Sequence, residues 1–570
     1  MNRILYFVHY NKYNFLSDHV IYLLKNVRIL YARIVVISNS PFSESQYNKL
    51  SEFCDEILVR ENKGFDFGAW KDAILKDGWK KISQYDNLTL MNDTCFGPLF
   101  DLESIYLDME QKDIDFWGLT NNKNDRFGMP KTHRPIPEHI QSYFICFKNK
   151  IVNADLFKTF WENVKYENKL EKVIQNYETK FTKILHKAGF RYSVLLDKSG
   201  FPNIKSDLAV RRSDLCLKFK VPFLKIRSFL SFPYPGYIIS LLRENTNYPV
   251  SIIFDYLNQI YDPETMLLIQ NKLIPNNTGN IDIAKELKIA MHLHSYYPDI
   301  LDKYMAFLNN TNANFDLYIT TNSSEKKSVI YDLFKNQACF SKLKEIIITK
   351  KQGRDIIPWL SIKDRLNQYD IVGHFHTKQS LNTEEWIDIT WLDDLLNSLL
   401  YNINNIINEF SNNKNLGVVI PEVPYIFRNI FLLDFSKYLQ SVTNCLWNKL
   451  GCKKEINFKN VKSMIFPIGN MFWYRPSALT PLFNLELSEN DIGNESISGE
   501  YIRHAIERLI VYIAWNEGYD YRIAISSENK NSNFVDVSGI NKIINSVEYK
   551  TGKYILRLPK AAKRLMENQL

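Results

Sequence analysis

No apolar run in the 570-residue chain approaches the roughly 18 residues that a membrane-crossing helix needs. The N-terminus also lacks the charged n-region and apolar h-region of a signal peptide, so a cytoplasmic location is expected, extending to the inner face of the plasma membrane. Seven scattered cysteines form no CxxC pair, which argues against a disulfide framework and predicts reduced thiols. The 71 basic residues outnumber the 63 acidic ones, but no dense basic arm or reader motif occurs. Nucleic acid is therefore excluded as a partner, whereas an anionic nucleotide or lipid surface suits a net charge of +8. The segment after the first apolar run, His9-Tyr10-Asn11-Lys12-Tyr13, has no glycine fingerprint, which disfavours a dinucleotide-dependent epimerase or mutase.

A hydrophobic content of 45% with 14% aromatics is that of a folded chain, and its length suits two domains of roughly 200 to 250 residues. Residues 3 to 60 alternate short β-branched runs (Ile4 to Val8, Ile34 to Ile37, Ile57 to Val59) with helix-length segments (Leu16 to Leu30, Glu44 to Phe53). This alternation predicts parallel β-α-β units in an open doubly wound α/β sheet, whose ligands bind at the carboxyl ends of the strands.

Arg60 to Ile74 organises the rest. Asn62, Gly64 and Gly68 fall in a strand-to-helix loop of the kind that holds phosphorylated ligands beside a helix N-terminus. Gly64, Asp66 and Trp70 recur as Gly353, Asp355 and Trp359, all displaced by the same 289 positions. His9-Tyr10 is echoed by His294-Ser295-Tyr296, and Ser38-Asn39-Ser40 by Thr321-Asn322-Ser323. Leu88 to Thr94 is answered by Ile371 to Thr377, which sets Asp93 against His376. Glu178 stands eleven residues before Gly189-Phe190, and Glu507 eleven before Gly518-Tyr519. Landmarks in one order mean two copies of one domain.

Asn92-Asp93-Thr94 puts an acid where a strand leaves the sheet. It suits either a hard divalent ion bridging a diphosphate or a turn aspartate. His139, opening a later strand, reads as a ligand, a base or a hydrogen-bonded structural residue.

These motifs carry a resemblance. Asn62-x-Gly64, Asp93, Gly469-Asn470-Met471-Phe472 before Arg475-Pro476, and the paired glutamates resemble landmarks of inverting GT-A glycosyltransferases. Arg60 to Lys71, Asn92 to Pro98, Asp115-Phe116-Trp117-Gly118-Leu119-Thr120, His139 to Phe144 and His376-Thr377-Lys378 are similar to the rhamnan synthesis protein F family. The resemblance implies a glycosyltransferase with two tandem GT-A-like (Rossmann-like, doubly wound) domains joined by a helical connector. It would extend a lipid-linked cell-surface polysaccharide, with dTDP-L-rhamnose as the usual donor. Asn62, Gly64, Asp66, Trp70 and Asn92 would bind the donor, Asp93 would take Mg²⁺ or Mn²⁺, and Glu178 would be the general base. In the second copy Gly353, Arg354, Asp355, His376 and Lys378 would bind the donor, with Lys378 as a direct cation in place of a metal, and Glu507 or Glu500 as base. The alternative for His374 and His376 is that they face opposite ways and bind nothing together.

The expected domains are residues 1–200, a connector at 201–285, 286–530, and a basic tail at 531–570. Basic and aromatic residues mix in the connector from Leu215 to Leu230 and in the tail, so both read as interfacial segments contacting the membrane peripherally or as ordinary amphipathic structure. Transfer from UDP or GDP, and a silent copy serving as a glycan-binding or docking module, are the competing functions.

Overall fold

The structure is a computed structural model that describes residues 2–124, 136–204, 206–231, 234–274, 287–349, 354–377, 385–424, 437–458, 461, 464–485 and 497–526. Two compact units divide the chain between Leu257 and Asn258.

In the first unit, β1 (Arg3–His9), β2 (Arg33–Ser38), β3 (Glu56–Val59), β4 (Asn87–Asn92), β6 (Phe116–Asn124), β7 (Ile136–Ile140), β8 (Phe144–Lys148) and β9 (Tyr192–Leu196) form one sheet, and β5 (Cys95–Phe96) pairs with β10 (Leu224–Lys225). The sheet order is β3-β2-β1-β4-β8-β6-β7, with β9 also beside β6. The first four strands are mutually parallel, and β8 reverses direction. Both faces are covered, because alternate β1 residues enter different cores: Ile4, Tyr6 and Val8 one, Leu5 and Phe7 the other.

The second unit contains β11 (Leu273–Ile274), β12 (Ile289–His294), β13 (Asp316–Thr321), β14 (Leu343–Ile348), β15 (Ile371–His376), β16 (Leu416–Pro421), β17 (Phe472–Tyr474) and β18 (Asp520–Ala524), in the order β11-β18-β16-β17-β15-β12-β13-β14. Read from the opposite edge, β14-β13-β12-β15-β17-β16-β18 repeats β3-β2-β1-β4-β8-β6-β9 strand for strand, with the same antiparallel insertion. The tandem doubly wound architecture is thus present in both halves.

The described residues of the expected connector, 201–285, do not stand apart from the units. Leu208, Ala209, Cys216, Val221 and Phe223 lie in a core of the first unit, and β11 joins the sheet of the second. Most apolar side chains of Leu215 to Leu230 are therefore committed to packing, with Phe219 and Leu230 exposed. The tail at 531–570 lies outside the described residues. Among the described residues no helix is long and apolar enough to cross a membrane.

Candidate active site

The loop after β3 is shaped by Gly64, whose φ of +74° opens the helix Phe65–Asp77. Arg60 fastens it: its guanidinium donates to Asn39 Oδ1 at 2.6 Å, to the Lys63 carbonyl at 2.7 Å and to Asp72 Oδ2 at 2.6 Å. The Asn62 Oδ1 acceptor is buried without a partner, an arrangement that suits a ligand donor. Trp70, expected on the donor side, is instead a core residue. It is 0% exposed and donates its indole N–H to the Tyr6 carbonyl at 3.2 Å, because its helix position turns inward onto β1.

The loop meets the end of β4. Asn92 Nδ2 donates to Asp66 Oδ2 at 2.8 Å, and the Asn92 Oδ1 accepts from Thr94 Oγ1 at 2.6 Å. Asp93 Oδ2 accepts the Tyr10 N–H at 2.8 Å and lies 4.0 Å from His9 Nε2. Burial raises Asp66 to about 6, opposed by the Asn92 amide and assisted by the Glu178 charge. Burial likewise raises Asp93 to about 8, while it lowers His9 to about 4. Near neutral pH the His9–Asp93 contact is therefore between uncharged groups and is no ion pair.

Glu178 closes a π-helical turn, Ile174–Glu178, before the helix Thr179–Lys187. Such turns re-aim one side chain of an otherwise regular helix. Glu178 Oε1 accepts both the N–H of Ser142 at 3.0 Å and its hydroxyl at 2.9 Å, which fixes the carboxylate beside the start of β8. His139 is a structural residue, buried with Nδ1 2.8 Å from the Pro137 carbonyl.

The second unit repeats this geometry. Glu507 Oε1 accepts the N–H of Gly469 at 2.9 Å. Counted back along β17 as along β8, Gly469 holds the place of Ser142. Strand face corrects one sequence pairing: Leu88 and Leu90 share the core of Trp70 as Val372 shares that of Trp359. Asn92, which bonds Asp66, therefore matches His376, which lies near Asp355, and Val8 rather than His9 matches His294. Asp93 then corresponds to Thr377, whose hydroxyl accepts the Tyr296 N–H at 3.0 Å as Asp93 accepts that of Tyr10. Asp355, the counterpart of Asp66, accepts from Asn470 Nδ2, and His376 Nε2 lies 3.8 Å from it. Arg354 is exposed with a φ of +53°. Gly353 and Lys378 lie outside the described residues, and so does the side chain of Glu500.

His374 and His376 do not face opposite ways. Alternate strand residues share a face, and both approach Asp355, His374 Nε2 at 3.4 Å. A chain of hydrogen bonds runs on from there. His374 Nδ1 is 3.0 Å from His292 Nδ1, and Thr320 Oγ1 lies 2.9 Å from His292 Nε2 and 3.0 Å from His294 Nδ1. With all three histidines neutral, each ring has one donor and one acceptor, and a single set of tautomers satisfies every link from Asp355 to His294. Burial favours that state, since it lowers His374 and His292 and brings His294 to about 4. Burial alone would raise Asp355, but His376, His374 and Asn470 outweigh it and hold the carboxyl well below its usual range.

Burial thus weakens the acidity of two carboxyls in the first unit, whereas the second is organised around one held ionised. The chain belongs to the rhamnan synthesis protein F family. The family model matches residues 34–519, which takes in most of both sheets apart from β1 and β18. Curated relatives include the uncharacterised protein y4gN of Sinorhizobium fredii, 35% identical over 143 residues, or 25% of this chain and 35% of that protein. Another is the uncharacterised protein WxcX of Xanthomonas campestris pv. campestris, 26% identical over 249 residues, or 42% of this chain and 33% of that one. The chain therefore spans about a third of the length of these relatives. Among solved structures, the glycosyltransferase GlyE of Streptococcus pneumoniae TIGR4 is similar at 12% identity and a TM-score of 0.25, over 66% of this chain and 86% of GlyE.

A metal was expected on Asp93 in this rhamnan synthesis family member. Among the described residues no group of three or more His, Cys, Asp or Glu side chains could hold one. Asp93 and Asp66 would supply at most two carboxylate ligands, so a divalent ion here would take its remaining ligands from a bound diphosphate.

The raised carboxyls have a measurable consequence. Asp66 and Asp93 hold protons in the folded state that the unfolded chain releases near about pH 4. Their contribution to stability is full below that pH and is lost as pH climbs through about 6 and then about 8. Asp93→Asn keeps an oxygen for the Tyr10 N–H but does not ionise. It is expected to flatten the decline and to gain about 1–2 kcal/mol at alkaline pH relative to the wild type. Thermal melts across a pH series check this, and parallel profiles for the two proteins would refute it.

Proposed function

We propose that the protein is a sugar-nucleotide-dependent glycosyltransferase in which both units are inverting transferases extending a lipid-linked cell-surface polysaccharide. The rhamnan synthesis family suggests dTDP-L-rhamnose as donor. The observation that carries the reading is the repeated carboxylate: Glu178 on Ser142 N–H and Glu507 on Gly469 N–H. Each is half-buried; the Glu178 charge bears on Asp66, and Gly469 precedes the Asn470 that donates to Asp355. One oxygen is held by the backbone; the other is left to take the acceptor hydroxyl's proton in Glu178, while in Glu507 it lies 3.8 Å from the Arg508 guanidinium. As the acceptor oxygen bonds to the anomeric carbon, its proton passes to the glutamate, the bond to the diphosphate breaks and its electron pair leaves with the phosphate. The loop around Asn62 and Gly64 cradles the nucleotide, with Asn62 Oδ1 accepting from it. Peripheral membrane contact fits the exposed Phe219, Leu230, Tyr234 and Tyr237 interspersed with Lys218, Lys220 and Arg227.

A second reading, with the C-terminal unit as a glycan-binding module, is favoured by the exchange of Asp93 for Thr377. Calorimetric titration of the full chain with dTDP, UDP and GDP separates the two. Two dTDP sites support tandem transfer, and a single site assigns the other unit to recognition. No binding of any nucleotide overturns the transferase reading.

A further inference from the structure

Within the first unit, a lysine from the expected connector stands beside the strand-end carboxylates. β10 pairs antiparallel with β5, which puts Lys225 opposite Cys95, two residues beyond Asp93. The ribbon is fastened on both sides of it: the Ile226 N–H donates to the Thr94 carbonyl at 3.0 Å and the Leu99 N–H to the Pro222 carbonyl at 2.8 Å. Phe223, Leu224 and Ile226 are buried, so the backbone carrying the lysine is held by the core.

Lys225 itself is half-buried. Its ammonium sits 4.8 Å from the centroid of the Tyr143 ring, and Tyr143 follows the serine that holds Glu178. The lysine's charge is also felt by the Asp66 carboxyl. Among the described residues no carboxylate lies within ion-pair distance of this ammonium. Partial burial of a cation has a desolvation cost that an aromatic face offsets only in part. An ammonium fixed in this way, against Tyr143 and within electrostatic reach of Asp66, is set up to receive an anion.

We infer that Lys225 binds the donor diphosphate in the first unit and remains with it as the leaving group departs. This rests on the transferase reading of that site. It makes residues beyond 201 part of the N-terminal centre, and it supplies the positive charge that the carboxyls of Asp66 and Asp93 cannot.

Calorimetry on the full chain tests it, using dTDP, UDP and GDP and the corresponding nucleosides against wild type, Lys225→Gln and Lys225→Arg. For the nucleotide that wild type binds, Lys225→Gln is expected to weaken one diphosphate site about 10- to 100-fold while nucleoside affinity is unchanged. Lys225→Arg should restore most of the loss. Diphosphate binding by Lys225→Gln equal to that of wild type overturns the inference and leaves the transferase reading standing. Equal losses for nucleoside and diphosphate would assign the lysine to packing and also overturn it. A wild type that binds no nucleotide sinks both.

Discussion

Replacing Glu178 by glutamine is expected to cut sugar transfer by about 10²- to 10⁴-fold while leaving the fold intact, the range associated with loss of a positioned base. Glutamine keeps an oxygen that can accept the Ser142 N–H and hydroxyl, as Glu178 does at 3.0 and 2.9 Å, so the turn is held as before. What is lost is the negative oxygen that takes the proton. Glu507→Gln removes the same group from the second unit and leaves an acceptor for Gly469 N–H. If both units are enzymes, linkage analysis of the polymer made by each variant should show a different bond missing. Full turnover by Glu178→Gln, with an unchanged melting temperature, would remove Glu178 from the role of base.

Gly68→Ala is expected to lower stability by about 2–4 kcal/mol and to abolish nucleotide binding by the first unit. A Cβ at Gly68 would lie 2.4 Å from the Lys63 carbonyl oxygen, a backbone atom that cannot swing aside as a side chain would. That carbonyl is also the one held by Arg60, so relieving the clash pulls the loop off its clamp. Gly78→Ala at the far end of the same helix meets nothing within 4 Å, and its cost comes only from its φ of +75°. Thermal denaturation and dTDP titration of both variants make the comparison. A Gly68→Ala protein as stable as wild type, with its nucleotide site intact, would mean that the loop tolerates the added methyl.

The duplication was legible in sequence because it rests on residues with few substitutes: a glycine at positive φ, an acid two positions on, and a carboxylate at fixed spacing from a glycine turn. The role of Trp70 was not legible. An indole four residues after an acid reads the same whether it faces a ligand or the sheet, and here tertiary packing turns it into the core. Pairing Asp93 with His376 failed for a related reason, since a one-residue slip exchanges the two faces of a strand and no local pattern fixes it. The core that each face enters, with Trp70 in one unit and Trp359 in the other, settles it. The run from Asp355 to His294 was hidden because its histidines meet only where β12 and β15 lie side by side. The place of Lys225 was hidden because 132 residues separate it from Asp93 and 159 from Asp66.

Asp93 and Thr377 hold the same backbone N–H, yet only one of them can ionise. A change of pH through about 6 to about 8 therefore alters the charge beside the Asn62–Gly64 loop of the first unit and has no matching group to act on at the Thr377 position of the second. In a polymer assembled by both units, the proportion of the two linkages would then drift with the acidity of the compartment. A single polypeptide would write that compartment's chemistry into the composition of its product.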